Sequence, residues 1–351
     1  MKTRRIWEEF QRTRRLDVED YEALILADAN LREEIRQRAK SIRDQVFGKG
    51  VFIRGLIEVS NICANDCYYC GIRRSNSSVS RYRLDYEEIF SRAKLGASLG
   101  FRTFVLQGGE THPLDVDGFS ALLRRMKKEL GDVAITLSLG EHEEEVYRAL
   151  FEAGADRYLL RHETANPTHY ARLHPETMTL EHRMACLESL KKIGYQVGCG
   201  WMVGSPHQTS EDLARDLKFA EELQPHMCGI GPFLPQQDTP FRDESPGDVE
   251  MVCHLLSLLR VGHPKLLLPA TTALGTAKEG GRERGILCGA NVIMPNLSPP
   301  QVRADYRLYD NKLATGLESA ENVRQLNEQL GKIGYHIAMG RGDAPGWRKK
   351  E

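Results

Sequence analysis

Three cysteines, Cys63, Cys67 and Cys70, fall within eight residues in a C-x3-C-x2-C spacing. Asn61, Asn65 and Asp66 lie among them, so the stretch reads as a polar loop. Three thiolates in one short loop can hold three corners of an iron–sulfur cube. The fourth iron then stays open to a small molecule, as an open zinc position stays open to water. Zinc with a fourth ligand from elsewhere is the alternative, and three unrelated buried cysteines fit a polar loop poorly. The other five cysteines, Cys186, Cys199, Cys228, Cys253 and Cys288, are scattered. Crowding of this kind points to a metal or cluster rather than a disulfide framework.

Other residues could do chemistry beside that loop. Gln107-Gly108-Gly109-Glu110 combines two glycines, which let a ligand approach the backbone, with a carboxylate. A plain Gly-Gly turn is the other reading. Thr136 and Ser138 share one face of a strand-like run by period-two alternation. Arg161 and Glu163 lie on a common side of another such run, as a ligand-facing pair or a structural ion pair. Arg54 interrupts an apolar run. A buried guanidinium needs an anion, supplied either by a ligand or by a neighbour such as Glu58.

These residues need elements to place them. The first 48 residues read as helices, with Asp17 capping one and a charged amphipathic stretch over 31–47 stopping at Gly48. Strand-like runs follow at 51–59 (VFIRGLIEV), 103–107, 134–139, 157–161, 196–203, 227–233, 265–269 and 291–294. Helix-like runs separate most of them, at 86–99, 116–130, 143–153, 180–193, 210–223, 246–261 and 278–288. Eight βα units in sequence predict an α/β fold, a (β/α)8 TIM barrel with an N-terminal helical extension. The expected division is 1–48 N-terminal helices, 49–310 barrel and 311–351 a polar C-terminal helical tail with a helix near 318–330. In such a barrel, functional groups sit at the C-terminal ends of strands and in the loops that follow.

The chain has 351 residues, 41% of them hydrophobic, and a formal net charge of −1 from 48 basic and 49 acidic side chains. No basic excess favours nucleic acid or an anionic membrane surface. No apolar run of about 18 residues suggests a membrane span. The charged first fifteen residues lack a secretory apolar core, so a cytoplasmic protein is expected.

The cysteine spacing after the first strand of an α/β barrel resembles the radical S-adenosylmethionine (SAM) superfamily. The resemblance implies one 4Fe–4S cluster on Cys63, Cys67 and Cys70, with SAM on the open iron. It implies reductive cleavage of SAM to methionine and a 5′-deoxyadenosyl radical. Gly108, Gly109 and Glu110 match the family's GGE-type motif, implying contact with the SAM ammonium. Tyr69 matches the aromatic position beside the adenine, although a loop aromatic packed on the rim reads equally well. Ser138 is placed to reach the ribose, Arg161 and Glu163 to meet SAM, and Arg183 to pair with its carboxylate.

Longer stretches narrow the branch: 81–83 (RYR), 136–141 (TLSLGE), 157–166 (RYLLRHETAN), 229–233 (GIGPF), 269–276 (PATTALGT) and 281–296 (GRERGILCGANVIMPN). Together they resemble the FeFe-hydrogenase maturase family HydE over about residues 50–310. That resemblance implies a small anionic organometallic substrate, the cysteine-ligated Fe(CO)2(CN) complex made by the tyrosine-lyase maturase HydG. It also implies a reductant protein and transient contact with other hydrogenase maturases. Arg54, Gln107, Thr136, Thr271 and Thr272 are expected around the substrate, with Met294 and Tyr306 closing the cavity. Each could equally be barrel packing. No cysteine follows Cys288, so the second, C-terminal cluster of some HydE proteins is expected to be absent. Methylornithine synthase and biotin synthase are the rival enzymes, and a non-enzymatic iron–sulfur carrier or scaffold is the third reading. For biotin synthase, Cys199 and Cys228 would have to serve a second cluster; as small buried hydrophobes they would not.

Overall fold

The computed structural model describes residues 2–313 and 319–349. Its centre is a closed parallel barrel. The first stave runs Gly50–Ile53 and, past Arg54, continues as Gly55–Ser60. Thr103–Gly108, Ala134–Ser138, Arg157–Leu159, Gln196–Cys199 and Met227–Cys228 follow in order, each parallel to the last. Single bridges complete the ring: Met227 to Leu267, Pro269 to Val292, and Leu56 to Asn296, while Val292–Ile293 pairs with Phe52 and Ile53. All eight expected staves are therefore present.

Alternation along the staves explains their composition. Ile53, Ile57, Phe104, Leu106, Ile135 and Leu137 point outward into one continuous core under the helices. Each such side chain contributes roughly 1.5–3 kcal/mol by leaving water. The alternate residues, including Arg54, Glu58, Thr136 and Arg157, point into the lumen. Cys199 and Cys228, opposite each other in register, belong to the outer core and not to the lumen. The biotin-synthase-like use of these two thiols finds no support in that placement.

The outer helices fall close to their expected positions, with two differences. The run 278–288 holds the short helix Gly281–Leu287, entered where Gly280 takes φ 70°, and a separate helix, Thr272–Ala277, precedes it. A further helix, Pro167–Leu173, follows the fourth stave, with Asn166 as its cap and Pro167 in its first turn. That Asn-Pro pair is a helix start signal that hydrophobic periodicity alone misses.

The N-terminal helices, Lys2–Thr13, Val18–Ile25 and Ala29–Phe47, pack on the barrel's outer layer. Asp17 and Asp28 cap the second and third, as short acceptor side chains do. Tyr21 Oη and Leu16 N both donate to Glu221 Oε2, at 2.9 and 3.0 Å, tying this layer to helix Ser210–Leu223. The C-terminal segment is not helix alone. Helix Val323–Lys332 is followed by strand His336–Ala338, which adds in parallel to Gly50–Phe52. Residues 341–344 then run beneath the barrel. The expected helix start near residue 318 lies outside the described residues.

Candidate active site

The cysteine loop leaves the C-terminal end of the first stave, where a barrel of this kind carries its chemistry. Its backbone is pinned from several sides. Arg81 donates four hydrogen bonds, to the carbonyls of Asn61 (2.6 Å), Ile72 (2.8 Å), Arg73 (2.6 Å) and Asn76 (2.9 Å). Asp66 accepts both guanidinium arms of Arg73, at 2.8 and 2.7 Å, and also Ser75. Arg73 thereby holds the Asp66 carboxyl well below the usual range. Ala64 N donates to Glu110 O and Tyr68 N to Leu173 O. Gly71 admits no side chain: a Cβ there would lie 1.9 Å from Arg307 O.

Burial pushes all three thiols up, Cys70 to about 12. The sulfurs are near enough to raise one another further, since Cys67 feels Cys70 and Cys63, and Cys70 feels Cys63. Opposing this, Cys63 accepts the backbone N–H of Asn65 and of Glu110, and Cys70 that of Ile72. Metal coordination deprotonates such thiols outright, and N–H donors then steady the thiolates. Among the described residues, no group of three or more His, Cys, Asp and Glu side chains is placed to hold a single ion. A cluster takes one thiolate per iron and so is compatible with a wider grip.

The second stave ends in the Gly-Gly turn, and the turn packs on the cysteine loop. Gly109 N donates to Ser60 O at 2.9 Å, and a Cβ on Gly109 would meet Ile62 O at 2.2 Å. Glu110 is buried with both carboxylate oxygens engaged, one with His112 Nε2 (2.9 Å) and the other with Glu141 N (2.8 Å). The carboxylate thus ties the second loop to the third. It lies against Gly140, whose φ of 92° and lack of Cβ leave the room.

Arg161, Glu163 and Arg183 come together across the mouth. Arg183 donates to Arg161 O at 2.8 Å and makes a short bond to Glu141. Burial opposes its charge, but Tyr170 and Glu141 raise its pKa well above the usual value. Arg161 Nη2 lies 3.0 Å from Glu163 Oε2, yet neither atom achieves hydrogen-bond geometry, and Arg161 Nε is likewise unpartnered. Ser138 is half-buried at the end of the third stave. Tyr69 Oη meets His174 Nε2 at 3.2 Å, and Cys67 Sγ is 3.8 Å from Met178 Sδ. Tyr170, stacked on His174, buries a hydroxyl with no partner. Tyr170, His174 and Met178 escape a sequence reading because they belong to the short helix and the turn after it.

Below the mouth, the lumen carries more unsatisfied polar atoms. Arg54 is buried; its Nη1 reaches only Met227 Sδ (3.0 Å), a weak acceptor, while Nε and Nη2 have no partner. Burial and nearby Arg157 push its pKa well down. Glu58 does not neutralise it, because Glu58 is taken by Lys312 and Asn296. Thr136 and Thr271 each bury a hydroxyl without a partner. Gln107 donates to Tyr306 Oη at 3.2 Å. Met294 packs lower, on the wall with Met227, Leu267 and Val292. Thr272 opens helix Thr272–Ala277 beside Thr271.

Residues 57–220 match the family model for the radical SAM superfamily. The FeFe-hydrogenase maturase subunit HydE of Thermotoga maritima is 47% identical over 292 residues, covering 83% of this chain and 83% of that one. The chain belongs to the HydE family of radical SAM enzymes. The 3-methylornithine synthase of Methanosarcina barkeri is more distant, 30% identical over 306 residues, 85% of this chain and 84% of that one. The crystal structure of methylornithine synthase superposes with a TM-score of 0.81 at 26% identity, over 95% of this chain and 97% of that one. The HydE family's fold is thus shared by enzymes of another chemistry, and membership implies a 4Fe–4S cluster and SAM. The donor set fits that pair of groups: three adjacent thiols with N–H support, beside a Gly-Gly turn that packs directly on their loop because Gly109 has no Cβ.

Proposed function

We propose that this enzyme is a FeFe-hydrogenase maturase that cleaves SAM reductively and turns the product radical on a small anionic iron complex held in the barrel. The observation that carries the reading is the coincidence of three neighbouring buried thiols with Arg161 and Glu163, paired at 3.0 Å but off hydrogen-bond geometry, at one barrel mouth.

In this reading Cys63, Cys67 and Cys70 hold the cluster. Gly108 and Gly109 give SAM a backbone surface, and Glu110 fixes that surface by bonding His112 and Glu141 N. Glu163 accepts from the cationic end of SAM, Arg161 and Arg183 face its carboxylate, Ser138 its ribose and Tyr69 its adenine. When bound, the cluster and SAM supply an electron and a 5′-deoxyadenosyl radical. The chain's own part is to orient the two partners and keep water out.

The substrate would sit deeper, where Arg54, Thr136, Thr271 and Thr272 offer N–H and O–H donors to an anion, under Gln107, Tyr306 and Met294. The HydE resemblance names it as the cysteine-ligated Fe(CO)2(CN) complex from HydG. One cluster per chain, about four irons, is expected. The reading also calls for a reductant protein, brief contacts with partner maturases, the domain division 1–48, 49–310 and 311–351, and a cytoplasmic setting. Among the described residues no helix is long and apolar enough to cross a membrane.

The test is anaerobic reconstitution, followed by reductant and SAM. Wild-type protein should form 5′-deoxyadenosine and Cys67→Ala should form none. Addition of the HydG product should then yield a trapped, reduced iron species. A reduced wild-type protein that loads iron yet leaves SAM intact would favour the scaffold reading.

A further inference from the structure

We propose that Asp216, on the outer side of the barrel, is a positioning residue for Glu163. Glu163 has φ 65° and is buried; among the described residues the other non-glycine residues with positive φ, Arg14, His207, Gln224 and Asn311, are exposed. A left-handed, buried, non-glycine residue persists only where its surroundings over-determine it.

The surroundings here converge on one carboxylate. Asp216 Oδ1 lies 3.2 Å from His162 Nε2 and accepts Ala165 N at 2.6 Å. It therefore grips the chain on both sides of Glu163. Asp216 and His162 are both fully buried, so neither can exchange its partner for water. Asp212, one turn earlier on helix Ser210–Leu223, accepts Asn166 Nδ2 at 2.6 Å and extends the clamp. From the fifth stave, Gly200 O accepts Glu163 N at 3.0 Å. On the inner side Arg183 holds Arg161 O. The segment 161–166 is thus fastened from behind the wall, and the Glu163 carboxylate projects into the mouth, its Oε2 3.0 Å from Arg161 Nη2 and without a hydrogen bond.

His162 lies between the two residues expected to face SAM, but its ring points the other way, against Trp201 and Phe219. It contributes by being held, not by touching ligand. Without Asp216 the 162–165 turn loses two anchors, and Glu163 relaxes toward an unstrained backbone.

This inference rests on the reading that Glu163 meets SAM. The experiment uses anaerobically reconstituted enzyme, measuring KM for SAM and kcat for 5′-deoxyadenosine in Glu163→Ala, Asp216→Ala, Asp216→Asn and the double variant Asp216→Ala/Glu163→Ala. Asp216→Ala should raise KM for SAM about tenfold, the scale set by relaxing one strained residue, with iron content and kcat near wild type. Asp216→Asn keeps an acceptor for Ala165 N and should be milder; it also serves if the alanine variant does not fold. The double variant should be no worse than Glu163→Ala alone, since Asp216 acts through Glu163. A purely structural role would lower kcat with the folded fraction and leave KM unmoved, which would overturn the proposal. Additive losses in the double variant would also overturn it. If Glu163→Ala itself leaves KM unchanged, the SAM reading of Glu163 fails, and the proposal fails with it.

Discussion

The two ends of the barrel are built to opposite rules. At the floor, polar groups are almost all paired. Arg157 donates to Asp343 (2.6 Å), Arg341 O (2.8 Å) and Thr103 Oγ1 (3.1 Å), leaving only its Nε over. Gln196 bonds Asp343 and Ala344 N, and Arg341 reaches Asp343, Asp132 and Asp156. At the mouth and in the lumen above, Arg54, Thr136, Tyr170 and Thr271 keep buried polar atoms without partners, while Arg161 and Glu163 pair at 3.0 Å off hydrogen-bond geometry. Each such atom costs about 1–3 kcal/mol. The same fold thus satisfies a buried arginine at one end and leaves several polar atoms unpartnered at the other, which is the arrangement the proposed ligand site calls for.

That contrast can be broken experimentally. The largest effect belongs to Cys67→Ala, which should abolish SAM cleavage while the barrel still folds, judged by 5′-deoxyadenosine and circular dichroism. Next is Arg157→Met. Asp343 is partly exposed and keeps Arg341 and Gln196 as partners, so the loss should be about 1–3 kcal/mol in denaturant unfolding, with SAM affinity near wild type. A variant that lost SAM affinity in step with stability would merge the two ends. Glu163→Ala should do the reverse, weakening SAM binding by about 1.5–3 kcal/mol, roughly ten- to a hundredfold, with iron loading and unfolding unchanged in equilibrium measurements.

The smallest effect is a pH limb. Burial would raise the Asp343 carboxyl, but Arg157, Arg341 and Gln196 outweigh it and hold it at about 2. Its unfolded value is about 3.9. The stability it contributes is therefore complete above about pH 4 and is lost as the pH falls toward 2. With partial exposure the contribution is about 1 kcal/mol. The stability gap between wild type and Asp343→Asn should shrink over that window, and a constant gap would mean another origin.

The barrel was readable from the sequence because apolar, strand-like runs alternate with helix-like runs along the chain. Ile53, Ile57, Leu106 and Leu137 mark the outer face, and Arg54 and Thr136 mark the inner one. The cysteine loop was readable because its three thiols fall within eight residues. What was not readable depends on contacts between distant segments. Asp343 completes the floor from almost the end of the chain, and Asp216 reaches His162 across fifty-four residues. Glu110 is a third case. Its motif suggests a ligand group, whereas the fold turns its carboxylate onto His112 and Glu141 N. The polar stretch after 311 hides a strand because His336–Ala338 is short and half-exposed, with little periodicity to detect.

The proposed chemistry needs a vacant cluster corner beside the three thiols. The electron paramagnetic resonance spectrum of the reduced, reconstituted protein, recorded before and after SAM is added, tests this most directly. The spectrum of a single 4Fe–4S centre should shift on addition of SAM, and the shift should be lost or weakened in Glu163→Ala. A cluster spectrum that SAM leaves untouched would contradict the account, because no iron would then be open to it.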